Sequence, residues 1–325
     1  MLVLRHPGFR RPRAPAPPGV LRSIMSKDKS PKAAFVAVIG RPSVGKSTLV
    51  NGICGEKVSI VSAVPQTTRN AIRGIVNREQ GQLVFIDTPG RYKSAKKTNK
   101  KLLDISAGAI EDADLILYVL DASRAAGAED EETAALLAPH AHRAVAAINK
   151  IDMVENAACD PALEFLSRSL PALPSVRIFP VSAKKNEGID ALLAALYDLA
   201  PEGEPFYGAD YYTDQEVDFR IAEIIREQAI NRLRQELPHA LRVEIADAQF
   251  TETAPSAQEG APDGNAPDVP EGKLWVRAFI VVERESQKGI VVGKGGAMIK
   301  AIRLAALKEL RKIFDWQIEL DLRVK

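Results

Sequence analysis

The stretch GRPSVGKSTLVN at residues 40–51 constrains this chain more tightly than any other. It fits G-x-x-x-x-G-K-[ST] through Gly40, Gly45, Lys46 and Ser47, and it follows the apolar run AAFVAVI at 33–39. A strand that ends in a glycine loop and reopens as a helix aims a ring of backbone N–H groups, and the positive end of the helix, at one point. That arrangement suits phosphate, and it needs a sheet edge to hold it. Lys46 is expected to reach the β- and γ-phosphates and the Ser47 hydroxyl to ligate Mg²⁺. Ser43, Val44 and Thr48 complete the expected cradle.

The rest of the first 200 residues supplies such a sheet. QLVFID (82–87), DLILYVLD (114–121), RAVAAIN (143–149) and RIFPVS (177–182) are short apolar runs without alternation. Runs of this kind suit strands covered on both faces of a parallel sheet. Helical patterns lie between them, so the expected fold over 31–200 is an α/β P-loop domain, its mostly parallel sheet flanked by helices on both faces.

Four further motifs follow, three of them at expected strand ends and one, PQTTRN, between the P-loop helix and the strand at 82–87. DTPG (87–90) places Asp87 to support the metal and the Gly90 N–H to touch a γ-phosphate. In PQTTRN (65–70), Thr67 or Thr68 is positioned to complete Mg²⁺ coordination while the γ-phosphate is present, with Thr68 the preferred candidate. Lys46, Thr68 and Gly90 are therefore the candidate catalytic residues, and Ser47, Thr68 and Asp87 the candidate metal set. NKID (149–152) and the Ser182-Ala183-Lys184 stretch lie where open α/β sheets bind ligands. Asp152 is suited to accept from guanine N1–H and the 2-amino group, donors that adenine lacks in that arrangement. Asn149 would brace the loop, Lys150 would lie along the base and Ala183 N–H would face guanine O6. Together these residues describe a site for GTP or GDP with Mg²⁺.

At 325 residues the chain has room for about two domains. Its net charge of +2 is uninformative, but residues 286–312 hold seven Lys or Arg side chains against one acid, Glu309. The prolines and glycines of APEGEPFYGAD (200–210) predict a linker over 201–216. A smaller α+β domain over 217–325 follows, in the order α-β-β-α-β, with a low-complexity insertion at 251–272 expected to be disordered. Within it, Gly293-Lys294-Gly295-Gly296 fits G-x-x-G between two helical stretches. A loop of this type in KH domains clamps about four backbone nucleotides. Lys288 and Lys300 add charge beside it, and Ile290, Val291, Val292, Met298 and Ile299 are expected to line a groove for bases.

Cys54 and Cys159 have no metal or disulfide spacing, which suits a reducing compartment, and four histidines form no ligand pattern. No apolar run reaches the ~18 residues of a membrane-crossing helix. Residues 1–30 are basic and Pro-rich and read as a flexible leader, or as an upstream start with Met25 as the true one. The alternative is a mitochondrial transit peptide, against which the prolines at 12, 15, 17 and 18 weigh.

Residues 33–199 resemble a translational-class GTPase domain. QTTRN with DTPG, then YYTDQEVDFRIAEIIREQ and the later G-x-x-G helix, resemble the Era-type family of ribosome-assembly GTPases over roughly 33–325. The resemblance implies GTP hydrolysis to GDP and phosphate, and binding to small-subunit ribosomal RNA and the 30S-type subunit. It also implies a cytoplasmic monomer that associates peripherally with the inner membrane. A membrane-associated regulatory GTPase, with the KH-like domain as a protein-interaction module, is the competing reading. Two positions depart from the family pattern: Ser43 stands where Asn is usual, and Arg91 where a hydrophobic residue follows D-x-x-G. No Gln stands there to orient the attacking water, so slow intrinsic turnover is expected.

Overall fold

The computed structural model describes residues 30–62, 64, 67–90, 106–155, 159–233, 241–252 and 272–325. These divide between Asp214 and Gln215 into two compact units.

The first unit is a six-stranded sheet in the order β2-β3-β1-β4-β5-β6. β1 (Lys32–Ile39), β3 (Gly81–Asp87), β4 (Leu115–Asp121), β5 (Ala144–Asn149) and β6 (Ile178–Pro180) are parallel. β2 (Ile72–Arg78) runs antiparallel to β3 at the edge. The helices are α1 (Lys46–Cys54), α2 (helical over 106–112), α3 (Ala128–Leu137), α4 (Asp160–Ser169) and α5 (Ile189–Leu199). Ala37, Ile39, Ile116, Tyr118 and Leu120 pack on one face with Ile110 of α2, Leu137 of α3 and Phe165 and Leu166 of α4. The intervening Val36, Val38, Leu117 and Val119 are equally buried and point to the other face, where α1 and α5 touch the sheet. Both faces are thus dry, which is why these strands read as unbroken apolar runs.

Two elements are not legible in the residue pattern, β2 and α4. β2 carries exposed Arg73 and Arg78 among buried Ile72, Ile75 and Val76, so it shows neither clean alternation nor a continuous apolar run. α4 offers only Phe165 and Leu166 as buried residues.

The segment read as a linker over 201–216 is ordered along most of its length. Residues 201–214 are a strap hydrogen-bonded along the first unit. Ala33 N–H donates to Pro201 O (3.1 Å) and Gly203 N–H to Pro31 O (2.9 Å). The Gln82 amide then holds both the N–H and the C=O of Tyr207 (2.9 and 2.8 Å). Ile75 N–H donates to Tyr212 O (2.8 Å), the Thr213 hydroxyl donates to Arg73 O (2.7 Å), and Asp214 pairs with Arg73 (2.8 Å). An edge strand leaves a row of backbone groups without partners, and the strap satisfies part of that row on β2.

The second unit is a three-stranded sheet, β7 (Arg242–Glu252), β8 (Gly272–Val281) and β9 (Gln317–Val324), in that order. β7 and β8 are antiparallel, β8 and β9 parallel. α6 (Val217–Ile230) and α8 (Ala297–Leu310) pack together, and the strict alternation of β8 buries Leu274, Val276, Ala278 and Ile280 on one side. The short helix α7 (Glu285–Val292) precedes the glycine loop. All but the ends of the expected insertion at 251–272 lies outside the described residues.

Candidate functional site: a phosphate loop, a metal cradle and a base pocket

The C-terminal ends of β1, β3 and β5 converge on a cavity of about 460 Å³ lined by Ser43, Gly45, Lys46, Ser47, Thr68, Gly90 and Lys150, among others. Ser43 adopts a left-handed conformation (φ 65°), as does Gly45 (φ 96°). A Cβ on Gly45 would lie 2.5 Å from Asn149 Nδ2, so glycine is required there by conformation and by contact. The loop wraps Lys46, whose ammonium donates to Gly40 O (2.8 Å) and Arg41 O (3.0 Å). Burial lowers the Lys46 pKa to about 8, with the Asp87 charge pulling the other way. Val44 is wholly buried, and Thr48 lines the cavity.

The candidate metal set comes together on α1, β3 and the segment between them. The Ser47 and Thr68 hydroxyls lie 2.9 Å apart. Thr67 turns away and donates to Val64 O (2.6 Å), which leaves Thr68 as the residue facing Ser47. Asp87 is completely buried, and neither carboxylate oxygen has a hydrogen-bond partner. Burial raises its pKa, opposed by Ser47, the Lys46 ammonium, Ser59 and Thr68. Those hydroxyls lie close enough to favour the carboxylate, yet none makes a well-formed bond to it. A buried carboxylate left in this way is costly unless a cation completes it. Two hydroxyl oxygens and one orphaned carboxylate are a hard-oxygen set that fits Mg²⁺. Gly90 ends the DTPG turn, where a Cβ would meet Pro42 at 2.6 Å. Thr88 anchors that turn to β1 by donating to Val38 O (2.7 Å). Arg91 lies outside the described residues.

At the base end, Asn149 links three segments. Its Nδ2 donates to Val44 O (2.9 Å), and its Oδ1 accepts from Ala183 N–H (3.0 Å), so the N–H expected to face guanine O6 is instead bonded to Asn149. Lys150 is left-handed (φ 68°) and donates to Ser43 O (2.7 Å) and Asp121 Oδ2 (2.7 Å). Asp152 accepts from the Ser182 hydroxyl (2.6 Å), and this bond holds its carboxyl below the ordinary range. Ser182 is fully buried and positions Asp152 from behind, whereas Lys184 is exposed. Ser182→Ala should therefore weaken guanine-nucleotide binding by about tenfold, the loss of one hydrogen bond to a charged group. A fluorescent-nucleotide titration giving wild-type affinity would refute that role.

Behind the site lies a buried charge cluster that no local pattern announces. Arg41 lies between Asp130 (3.4 Å) and Asp121 (3.9 Å), with all three side chains nearly inaccessible. Burial would raise the Asp121 pKa, but Lys150 and the Ser123 hydroxyl hold it low. Asp130 caps Gly127 N–H at 3.0 Å. The cluster ties the phosphate loop to β4, α3 and Lys150. The only signal available in the sequence is an acid closing an apolar strand in DLILYVLD.

In the second unit the G-x-x-G loop has φ values of 73°, 58° and 77° at Gly293, Gly295 and Gly296. Lys294 and Lys300 are exposed, and Lys288 pairs with Glu285 at 2.8 Å. The expected apolar groove is corrected in one respect. Val291 is fully buried, while its neighbours Ile290 and Val292 are 53% and 36% exposed. Three consecutive helical residues do not share a face, so the middle one turns inward.

Comparison with known proteins places these features. A family model described as 50S ribosome-binding GTPase matches residues 35–150, and a KH domain model matches 264–325. GTPase Era of Treponema denticola is 50% identical over 293 residues, covering 90% of this chain and 94% of the relative. The chain belongs to the Era family of GTPases. GTPase Era of Borreliella burgdorferi is 40% identical over 294 residues, covering 90% of this chain and 94% of its own. A crystal structure of Era with MgGDPNP and nucleotides 1506–1542 of 16S ribosomal RNA superposes with a TM-score of 0.80 at 34% identity, covering 91% of this chain and 93% of that one. An Aquifex aeolicus Era variant bound to GDP·AlF4⁻ gives 0.77 at 32% identity, covering 90% and 94%.

Proposed function

We propose that this Era-family protein binds GTP with Mg²⁺ in its first unit and hydrolyses it to GDP and phosphate. Its second unit binds small-subunit ribosomal RNA, and the GTP cycle times that binding during assembly of the small ribosomal subunit. The observation that carries the nucleotide reading is Asn149, whose one amide joins the phosphate loop to the Ala183 N–H beside Asp152. Phosphate and base recognition are thereby built as one rigid frame, as a guanine-nucleotide site requires.

Within that frame Lys46 transfers its donors from Gly40 O and Arg41 O to the β- and γ-phosphate oxygens. An anionic partner there raises its depressed pKa and keeps it charged. Ser47, Thr68 and Asp87 hold Mg²⁺, which supplies positive charge to the phosphate oxygens. Gly90 presents its N–H beside the γ-phosphate, with no room for a side chain against Pro42. Ser43, Val44, Gly45 and Thr48 line the phosphates, and Lys150, Asp152, Ala183 and Lys184 surround the base. On the second unit Gly293, Lys294, Gly295 and Gly296 take the RNA backbone, with Lys288 and Lys300 beside them.

A cytoplasmic location is supported by Cys54 and Cys159, both buried as thiols. Among the described residues no helix is long and apolar enough to cross a membrane.

The test is a pair of measurements on the whole chain. GTP hydrolysis should require Mg²⁺. Affinity for a 3′-terminal small-subunit ribosomal RNA fragment should differ about tenfold between the GDP state and a non-hydrolysable GTP analogue, within the ~1–3 kcal/mol of typical couplings. Equal RNA affinities in the two states would separate the RNA from the nucleotide cycle.

A further inference from the structure

We propose that Asn51 is a positioning residue that fixes the root of the segment carrying Thr68, and thereby sets Mg²⁺ affinity and hydrolysis. The inference rests on Ser47, Thr68 and Asp87 being the metal set. α1 ends at Gly55, which is left-handed (φ 69°) and turns the chain back along the helix. There the Asn51 side chain makes three hydrogen bonds to main chain. Its Oδ1 accepts from Val58 N–H (2.9 Å) and Ser59 N–H (2.8 Å), and its Nδ2 donates to Ser59 O (2.8 Å). Val58, Ser59 and Ile60 are all buried, so the root is seated in the core.

Ser47 and Asn51 are four residues apart on α1 and therefore share one face. One end of the segment meets that face at Asn51, and the other meets it where Thr68 faces Ser47 at 2.9 Å. The Asn51 bonds involve no group of the nucleotide site. They should therefore persist whatever the site holds, whereas the Ser47–Thr68 approach should change with what lies between the phosphates and Asp87. One amide thus acts on the segment that carries Thr68 without touching the metal or the nucleotide.

The experiment compares wild type, Asn51→Ala and Asn51→Asp in the whole chain. Hydrogen exchange is read on the peptide containing Val58 and Ser59. Half-saturating Mg²⁺ is read from binding of a non-hydrolysable GTP analogue, and the rate constant for hydrolysis is measured at saturating GTP. In wild type the two amides should exchange slowly with GDP and with the analogue alike. In Asn51→Ala they should exchange about tenfold faster or more, half-saturating Mg²⁺ should rise about tenfold and hydrolysis should slow about tenfold, on the scale of lost hydrogen bonds. GDP affinity in EDTA should stay within about threefold of wild type, since that site is held by the phosphate loop and Asn149. Asn51→Asp keeps the acceptor and loses the donor, so it should recover most of the slow exchange and part of the Mg²⁺ affinity. Wild-type Mg²⁺ dependence in Asn51→Ala would overturn the proposal, and so would equal loss of EDTA–GDP affinity, which marks a general loosening of α1. If Ser47→Ala leaves half-saturating Mg²⁺ unchanged, the metal assignment itself fails and this inference falls with it, whatever Asn51 variants do.

Discussion

Asp152→Asn should weaken GTP binding about 100-fold while creating measurable affinity for xanthosine triphosphate, the scale expected when hydrogen bonds to a charged acceptor are lost. A carboxylate offers two acceptors to guanine N1–H and the 2-amino group, whereas an amide offers one acceptor and one donor. Xanthine carries a carbonyl where guanine has its amino group, so the amide meets it with matched polarity. The surrounding geometry favours a clean exchange. Ser182 donates to Asp152 Oδ1 at 2.6 Å, and an asparagine oxygen at the same place can still accept that bond. Asn149 and Lys150 are held by Val44 O, Ser43 O and Asp121 and do not depend on Asp152. The variant should therefore keep its fold and phosphate contacts, and only base preference should move. Competition of both triphosphates against a fluorescent nucleotide reads this directly, and unchanged GTP affinity would sink the base assignment.

How much of this site can be read from residues alone follows from what each part demands. The proposed phosphate and metal contacts need particular residue types at fixed spacing within one loop, so Gly40 to Ser47 and Asp87 to Gly90 are visible locally. The parallel sheet is visible because strands covered on both faces must be apolar throughout. Arg41, Asp121 and Asp130 are invisible because their partnership spans three distant segments and no local pattern encodes it. The strap at 201–214 reads as a linker for a related reason. Proline and glycine signal only the absence of regular structure, and the bonds that make the segment ordered come from Gln82, Ile75 and Arg73 on other strands. In the second unit the alternation of β8 is legible, but the inward turn of Val291 is not, since three apolar residues in a row leave the helix phase undefined.

Gly295→Asp should lower RNA affinity about 100-fold and leave GTP hydrolysis without RNA within about twofold, the scale expected when a backbone-clamping loop no longer holds its phosphates. The loop has room for the substitution in the RNA-free protein, because a Cβ on Gly295 would meet nothing within 4 Å. Its left-handed φ of 58° strains any residue with a Cβ, but Asp tolerates that region better than most, so the unit should stay folded. What changes is the face offered to the RNA. A glycine lets a sugar-phosphate chain approach the main chain, whereas aspartate sets a carboxylate against it beside the single charge of Lys294. Gly295→Ala separates the two effects, since it adds the Cβ without the charge and should lose only a few-fold in affinity. The salt dependence gives an independent reading: with one phosphate no longer neutralised, the slope of log affinity against log salt should fall by about one. Wild-type RNA binding by Gly295→Asp would make the loop a helix cap and move the RNA to another surface. A parallel loss of GTP hydrolysis would show damage beyond the second unit. Loss of RNA binding alone assigns the two glycine loops of this chain to two different phosphates, one on a nucleotide and one on a polymer.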